Sequence, residues 1–124
     1  ALFGGTSGGP AALHMAVTGV IAATLYRLLK RGTRRPRPFR RHAQIVAHIA
    51  PLDEFSFPSG HTLHAVNFSL VASAWYPQLT VVLAPLTALI ALSRVVLGLH
   101  YPSDVVVAVL IGFALAESSC LLVF

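Results

Sequence analysis

The sequence predicts an all-α, polytopic membrane helix bundle with about four transmembrane helices. Of its 124 residues, 56% are hydrophobic and only 10% are charged, whereas about a quarter of the residues are charged in a typical soluble domain. The mean hydropathy is +0.75. Four apolar segments of roughly 18–21 residues, each long enough to cross a bilayer, account for most of the chain. We therefore expect one membrane-embedded domain over residues 1–124 and no soluble domain.

The first helix is expected over residues 11–29, which are apolar apart from His14. Before it, residues 1–10 are rich in glycine and predict a flexible end or loop. Gly32 suits the end of the helix. Residues 33–58 then form a long polar connection, and such a connection inside a compact membrane protein is more often functional than idle. Within it, residues 43–50 are expected to form a short interfacial helix.

Three more helices are expected over residues 59–76, 79–97 and 102–124. The third of the four ends before Gly98, and the last begins at Pro102, a residue suited to the first helical position. If each helix crosses the bilayer once, the ends of the first and third helices lie on the same membrane face as the starts of the second and fourth. That face should hold the candidate functional residues Lys30, Arg37, His61, Arg94, His100 and Asp104.

The net charge of +5 is concentrated in one stretch, because only Arg94 among the nine basic residues lies outside it. The other eight are Arg27, Lys30, Arg31, Arg34, Arg35, Arg37, Arg40 and Arg41. Such a block could bind nucleic acid, hold anionic lipid headgroups or set the topology through the positive-inside rule. No nucleic-acid motif and no interleaved aromatic residues accompany it, so headgroup contact and topology are favoured and no nucleic-acid partner is expected.

A turn of small residues precedes a histidine at the start of the second helix. Pro58, Ser59 and Gly60 precede His61, and Gly60 allows a ligand to approach the backbone closely. The first turn of a helix presents unpaired N–H groups, which favour an anion. The same sequence also describes an ordinary turn before a helix, so this stretch indicates a phosphate site only together with the residues that follow.

His100 and Asp104 provide a second histidine and a carboxylate to orient it. A carboxylate four residues after a histidine can accept the imidazole N–H and leave the other ring nitrogen free. Two histidines could then share a phosphoryl transfer, in which one attacks phosphorus and the other protonates the leaving alkoxide. Lys30, Arg37 and Arg94 supply the fixed positive charge that such a transition state needs, and no metal or other cofactor is expected.

Three motifs in residues 30–104 resemble those of the type 2 phosphatidic acid phosphatase superfamily. The first is Lys30, six residues, then Arg37 and Pro38; the second is residues 58–61, Pro-Ser-Gly-His. The third is Ser93 and Arg94, five residues, His100, three residues, then Asp104. All three occur in order and nothing in the patterns is missing, so the motif-bearing core spans residues 30–104.

The resemblance implies a membrane phosphatase that needs no metal. It implies hydrolysis of a phosphomonoester or pyrophosphate of a lipid, such as phosphatidate, phosphatidylglycerol phosphate or a polyprenyl phosphate, through a phosphohistidine. On the same basis His100 is the expected nucleophile, His61 the acid and base, and Asp104 the partner of His100. The implied phosphate-binding residues are Lys30, Arg37, Ser59, Gly60 and Arg94.

Members of this kind commonly have six membrane helices, so we expect two N-terminal helices to lie outside this chain. The expected location is a bacterial inner (plasma) membrane, and the oligomeric state is left open. The positive-inside rule would place the Arg-rich loop, and hence the site, in the cytoplasm. Because the same arginines are partly functional, that rule loses force here, and we favour the outer face.

Two other functions compete with a lipid phosphatase. A vanadium-dependent haloperoxidase resembles this chain in the same phosphate pocket, but such enzymes are soluble and the hydropathy argues against one. A non-catalytic protein that binds anionic lipids would need the basic loop, yet it would need neither an oriented histidine nor an acid. His64 could form a metal pair with His61, although a packing role is favoured; His14, His42 and His48 are expected at a surface or interface.

Overall fold

Four long helices form the part of the chain that the structure describes, and a short fifth helix lies in the connection between the first two. The computed structural model describes residues 5–51 and 53–124. The helices are α1 (Gly8–Thr33), α2 (Pro38–Arg41), α3 (Gly60–Trp75), α4 (Thr80–Val96) and α5 (Pro102–Val123). Short 3-10 turns, Gly5–Ser7 and Pro77–Leu79, precede α1 and α4. The predicted all-α membrane bundle is thereby confirmed.

Among the described residues, three segments are long and apolar enough to cross a membrane: Gly5–Thr33, Pro77–Val96 and Pro102–Val123. Helix α3 has 16 residues, which corresponds to about 24 Å at the usual rise per residue and is shorter than a hydrocarbon core of about 30 Å. It is the central helix, since it packs against α1, α4 and α5. Thr62 and Asn67 of α3 are accordingly buried among protein neighbours, whereas His61 at the start of the helix is exposed.

Small residues let α5 approach α3 closely. The buried residues of α5 are Asp104, Ala108, Gly112 and Ala116, a spacing of four that places them on one face of the helix. A Cβ atom on Gly112 would lie 2.8 Å from the carbonyl oxygen of Leu63, so the contact requires glycine there. This type of packing is common between membrane helices. Asp104 begins the same stripe, and its backbone oxygen accepts the N–H of Ser59 at the start of α3 at 3.3 Å.

A buried polar cluster joins α1, α3 and α5 at the end of the bundle remote from the candidate residues. Trp75 donates its indole N–H to His14 Nδ1 at 3.0 Å, and His14 Nε2 lies 2.9 Å from Ser119 Oγ. His14 is therefore buried and partnered, and its expected place at a surface or interface is wrong. Since the indole can only donate, we assign the neutral tautomer of His14 that carries its proton on Nε2.

The structure corrects three local predictions at the start of the chain and in the connection. Residues 5–10 are already helical, whereas residues 1–4 lie outside the described part of the chain. Gly32 lies inside α1, which is ended by Arg34 in a left-handed conformation (φ 47°) with its N–H bonded to Lys30 O. The expected helix over residues 43–50 is absent, and α2 lies earlier in the connection.

The reason that residues 43–50 form no helix is their packing against the end of α4. The N–H of His48 donates to the carbonyl oxygen of Leu97 at 3.3 Å, and the backbone oxygen of Val46 lies beside Gly98. Helix α2 instead begins at Pro38, whose fixed φ suits a first helical position. These tertiary contacts outweigh the weak local preference of an alanine-rich stretch for helix.

Candidate active site

A cavity of about 840 Å³ opens where α1 and α4 end and α3 begins. The polar and charged residues that line it are Lys30, Arg37, Asp53, His61, His64, Arg94 and His100, together with Tyr26. Five of the residues singled out in the sequence for chemistry or phosphate binding thus meet at one site, as do the backbone atoms of Gly60. The remaining lining residues are apolar and include Ala65 of α3, Ile90 of α4 and Ile49 of the connection.

The end of α4 positions His100 through a hydrogen-bonded turn. The N–H of Gly98 donates to Val95 O at 3.0 Å, and the N–H groups of Leu99 and His100 donate to Arg94 O at 3.2 and 3.1 Å. This is a Schellman-type helix end, which favours glycine because one residue must adopt a positive φ; Gly98 has φ +74°. A Cβ there would also lie 2.7 Å from Val46 O. The turn explains why a fixed spacing separates Arg94 from His100.

Asp104 is fully buried and faces His100, although the two side chains are not in hydrogen-bond contact. Its Oδ2 lies 3.6 Å from His100 Nδ1 and accepts the backbone N–H of Tyr101 at 2.7 Å. A hydrogen bond would need a separation shorter by about half an ångström. Contacts of this kind commonly tighten in a substrate complex. The pair therefore has the right partners and orientation for the role expected of it.

Arg37 contacts the other ring nitrogen of His100. Its Nη1 lies 3.3 Å from His100 Nε2 and donates to Leu99 O at 2.9 Å. A guanidinium group has no acceptor, so in this contact Nε2 must present its lone pair. We therefore assign the neutral tautomer of His100 with the proton on Nδ1, toward Asp104. The lone pair of Nε2 is then directed at Arg37 Nη1, and both side chains line the cavity.

The structure places Ser59 differently from the other candidate phosphate ligands. Ser59 is fully buried, and its Oγ caps α3 by accepting the N–H of Thr62 at 3.4 Å. Its own N–H donates to Asp104 O at 3.3 Å. Ser59 thus joins the start of α3 to the start of α5, and its side chain does not line the cavity. The N–H groups of Gly60 and His61 belong to the first turn of α3, which has no intrahelical acceptors for them.

Two charged residues at the site were not singled out in the sequence. Arg35 was assigned to headgroup contact or topology, but its Nη1 donates to Asp104 Oδ1 at 2.9 Å and to Ser103 Oγ at 2.8 Å. Its guanidinium also lies 4.2 Å from the centre of the Tyr101 ring. Arg35 therefore compensates the buried charge of Asp104 at Oδ1, whereas His100 faces Oδ2. The alternation of arginine and proline at residues 35–38 is the only sequence signal that could have indicated it.

Asp53 is the second residue that sequence reasoning missed. Its Oδ1 accepts hydrogen bonds from Lys30 Nζ at 3.0 Å and from Arg37 Nη2 at 2.6 Å. Burial alone would raise the pKa of Asp53, but the hydrogen bonds and charges of Lys30 and Arg37 hold that pKa below its usual value. Only four acidic residues occur in the chain, and the need of a buried lysine for a partner could have pointed to this one.

The remaining histidine of the cavity makes packing contacts. His64 is stacked on Phe68, with ring centres 5.6 Å apart, and meets the Tyr26 ring edge to face at 5.7 Å. These contacts agree with the packing role favoured for it. Across residues 5–51 and 53–124, no group of three His, Cys, Asp or Glu side chains is placed to hold one metal ion.

Comparison with known proteins shows that the chain is similar to phosphatases. Over 93 residues the chain is 40% identical to decaprenylphosphoryl-5-phosphoribose phosphatase of Mycobacterium tuberculosis, covering 74% of this chain and 50% of that protein. In an alignment of 127 positions it is 33% identical to undecaprenyl-diphosphatase BcrC of Bacillus subtilis, covering 98% of this chain and 64% of that protein. In both matches the chain spans less than two thirds of the relative's length.

A solved structure and a family model agree with these matches. The crystal structure of a transmembrane PAP2 type phosphatidylglycerolphosphate phosphatase from Bacillus subtilis superposes with a TM-score of 0.73 and 25% identity. The similarity covers 86% of this chain and 56% of that one. The model of the PAP2 superfamily matches residues 11–123. With nearly its whole length matched by that model, the chain belongs to the PAP2 superfamily.

Proposed function

We propose that this chain is a membrane-embedded phosphatase domain that hydrolyses a phosphomonoester or pyrophosphate of a lipid through a phosphohistidine on His100. The observation that carries the proposal is the meeting of two histidines and three cationic side chains in one cavity at the end of an apolar bundle. The lipid phosphatases among the relatives support the substrate class. Phosphatidate, phosphatidylglycerol phosphate and polyprenyl phosphates all present the group that the cavity would bind.

In the first step, the phosphoryl oxygens bind Lys30, Arg37 and Arg94, and the N–H groups at the start of α3 add further donors. The lone pair of His100 Nε2 attacks phosphorus in line with the leaving oxygen. That oxygen takes a proton from His61 as its bond to phosphorus breaks. The imidazole of His100 becomes positively charged, and the carboxylate of Asp104 stabilises this charge across the Nδ1–H group.

In the second step, a water molecule attacks the phosphohistidine. His61, now neutral, accepts the proton of the water as the new P–O bond forms and the P–N bond breaks. Inorganic phosphate leaves, and His100 returns to its neutral form. Each residue thus ends in the protonation state in which it began, and the cations only have to hold charge in place throughout.

The proposed chemistry predicts activity without a metal. Hydrolysis of a lipid phosphate by the purified protein in detergent should persist in EDTA and should be inhibited by vanadate, which adopts the trigonal-bipyramidal geometry of phosphorus under attack. Phosphate release measured with and without chelator checks this. Loss of activity in EDTA that magnesium or zinc restores would contradict the proposal.

We also propose that the site faces the outside of a bacterial plasma membrane. Several cations of the connection are engaged within the protein, since Arg35 and Arg37 bind buried partners and Arg40 lies 3.5 Å from Glu54. The charge of this loop is therefore a weaker signal for a cytoplasmic location than its composition suggests.

Cysteine labelling tests the orientation. In a Cys120→Ser background, Ala43→Cys should react with a membrane-impermeant maleimide added to intact cells, because Ala43 is exposed in the connection beside the site. Gln78→Cys, exposed at the opposite end of the bundle, is the matched control and should react only after the cells are opened. The reverse pattern of labelling would place the site in the cytoplasm.

A further inference from the structure

Two of the three cations proposed to bind phosphate hold a carboxylate of the protein itself. Lys30 and Arg37 both donate to the same oxygen, Oδ1 of Asp53, at 3.0 and 2.6 Å. The backbone oxygen of Asp53 also accepts the Arg37 Nε–H at 3.0 Å. Asp53 thus makes with these cations the charge-assisted, two-donor contacts that a phosphate oxygen would make.

Asp53 is placed so that it can leave this position. Its side chain is 41% exposed, whereas those of Lys30 and Arg37 are 9% and 4% exposed. The two cations are fixed by other acceptors: Lys30 donates to Phe55 O at 2.8 Å, and Arg37 donates to Leu99 O at 2.9 Å. When the carboxylate moves into solvent, the cations keep these partners and stay at the cavity wall.

We propose that Asp53 is the resident anion of the phosphate site: an incoming phosphate displaces its carboxylate from Lys30 and Arg37, and the carboxylate returns when phosphate leaves. This inference depends on the proposed phosphatase function. Asp53 then determines how tightly the site holds substrate and product, because a ligand binds only to the fraction of molecules in which the carboxylate has moved away.

The exchange has a benefit for turnover. A site with three uncompensated cations would hold inorganic phosphate as firmly as substrate, and such uniform binding does not accelerate the chemical step. A returning carboxylate replaces the product without any net loss of ion pairs. Release of phosphate, which limits the turnover of many enzymes, is thereby assisted by the protein.

Binding of inorganic phosphate and vanadate by the purified full-length protein tests the proposal without requiring turnover. Asp53→Asn keeps the size and an acceptor oxygen of the side chain but removes its charge. If the carboxylate occupies the cations in about nine molecules of ten, this variant should lower the dissociation constants of both ions by about tenfold. Because the same displacement precedes binding of either ion, the two factors should be equal. Product inhibition by phosphate should strengthen to the same extent.

Glu54→Gln is the matched control. Glu54 is the neighbouring carboxylate, is exposed, and lies near Arg40 outside the cavity, so its replacement should leave both dissociation constants unchanged. Asp53→Ala is a second variant that lacks the charge, and it should bind phosphate and vanadate more tightly than the wild type, as Asp53→Asn does.

Three results would overturn the inference. Weaker binding in the Asp53 variants would show that the carboxylate organises the cations and does not compete with phosphate. If the dissociation constants of the two ions fall by different factors, and the more highly charged ion shows the larger factor, the carboxylate only repels anions at a distance. Failure of both variants to fold would assign Asp53 a structural role. A wild-type protein that binds neither ion and hydrolyses no lipid phosphate would instead contradict the proposed function.

Discussion

Replacing His100 with alanine should abolish turnover, with a loss of at least about a thousandfold in kcat. The variant lacks the nitrogen that would attack phosphorus, and no other histidine of the described residues shares its contacts with Arg37 and Asp104. His100 lines the cavity, so truncation enlarges an existing space and the fold should persist. Rapid quenching of the wild-type reaction should trap a phosphoprotein that is stable in alkali and labile in acid, and the variant should yield none.

Vanadate binding distinguishes lost chemistry from lost structure in this variant. Lys30, Arg37 and Arg94 remain, so the His100→Ala protein should still bind the anion. His48→Gln is a matched control, because His48 is an exposed histidine of the same connection and its side chain should be dispensable. Wild-type rates of hydrolysis in the His100→Ala protein would end the phosphohistidine mechanism.

Replacing His61 should separate substrates by their leaving groups. An alkyl phosphate releases a poor leaving group, so His61→Ala should reduce its hydrolysis by about 10²–10⁴-fold, the usual contribution of a general acid. An aryl phosphate such as p-nitrophenyl phosphate releases a phenolate that needs no proton. The first burst of phenolate from this substrate should therefore stay within about tenfold of the wild-type value.

The burst is the required measurement because hydrolysis of the phosphohistidine still needs His61 as a base, which slows steady turnover on every substrate. His100→Ala provides the contrast, since the nucleophile is needed whatever group leaves. If the aryl burst disappears in His61→Ala while vanadate binding is retained, the acid must be another residue.

Much of this protein could be predicted from the sequence because its signals are local or periodic. Long apolar runs predict membrane helices, since backbone N–H and C=O groups without hydrogen-bond partners are costly in hydrocarbon and a helix pairs them all. Because successive helices run in opposite directions, the ends of α1 and α4 lie on the same side of the bundle as the starts of α3 and α5. For the same reason Lys30, His61, Arg94 and His100 meet at one cavity, as expected from motifs far apart in the chain.

The connection between α1 and α3 could not be predicted in the same way. Its composition suggested a helix over residues 43–50, but contacts with Leu97 and Gly98 hold that segment against the end of α4. The partner of a charged side chain in such a segment depends on where the chain returns in space. Arg35 consequently appeared to be one more surface arginine, although it binds the buried carboxylate of Asp104.

The sequence by itself determined the membrane bundle, the family and the set of groups that the proposed reaction needs, because apolar length and motif spacing are properties of the chain alone. Only the tertiary structure decided the charge balance of the site. Asp53 lies 23 residues after Lys30 in sequence, and no periodic pattern relates them. Its carboxylate meets Lys30 and Arg37 because buried cations must be compensated, and the fold brings this acid within their reach.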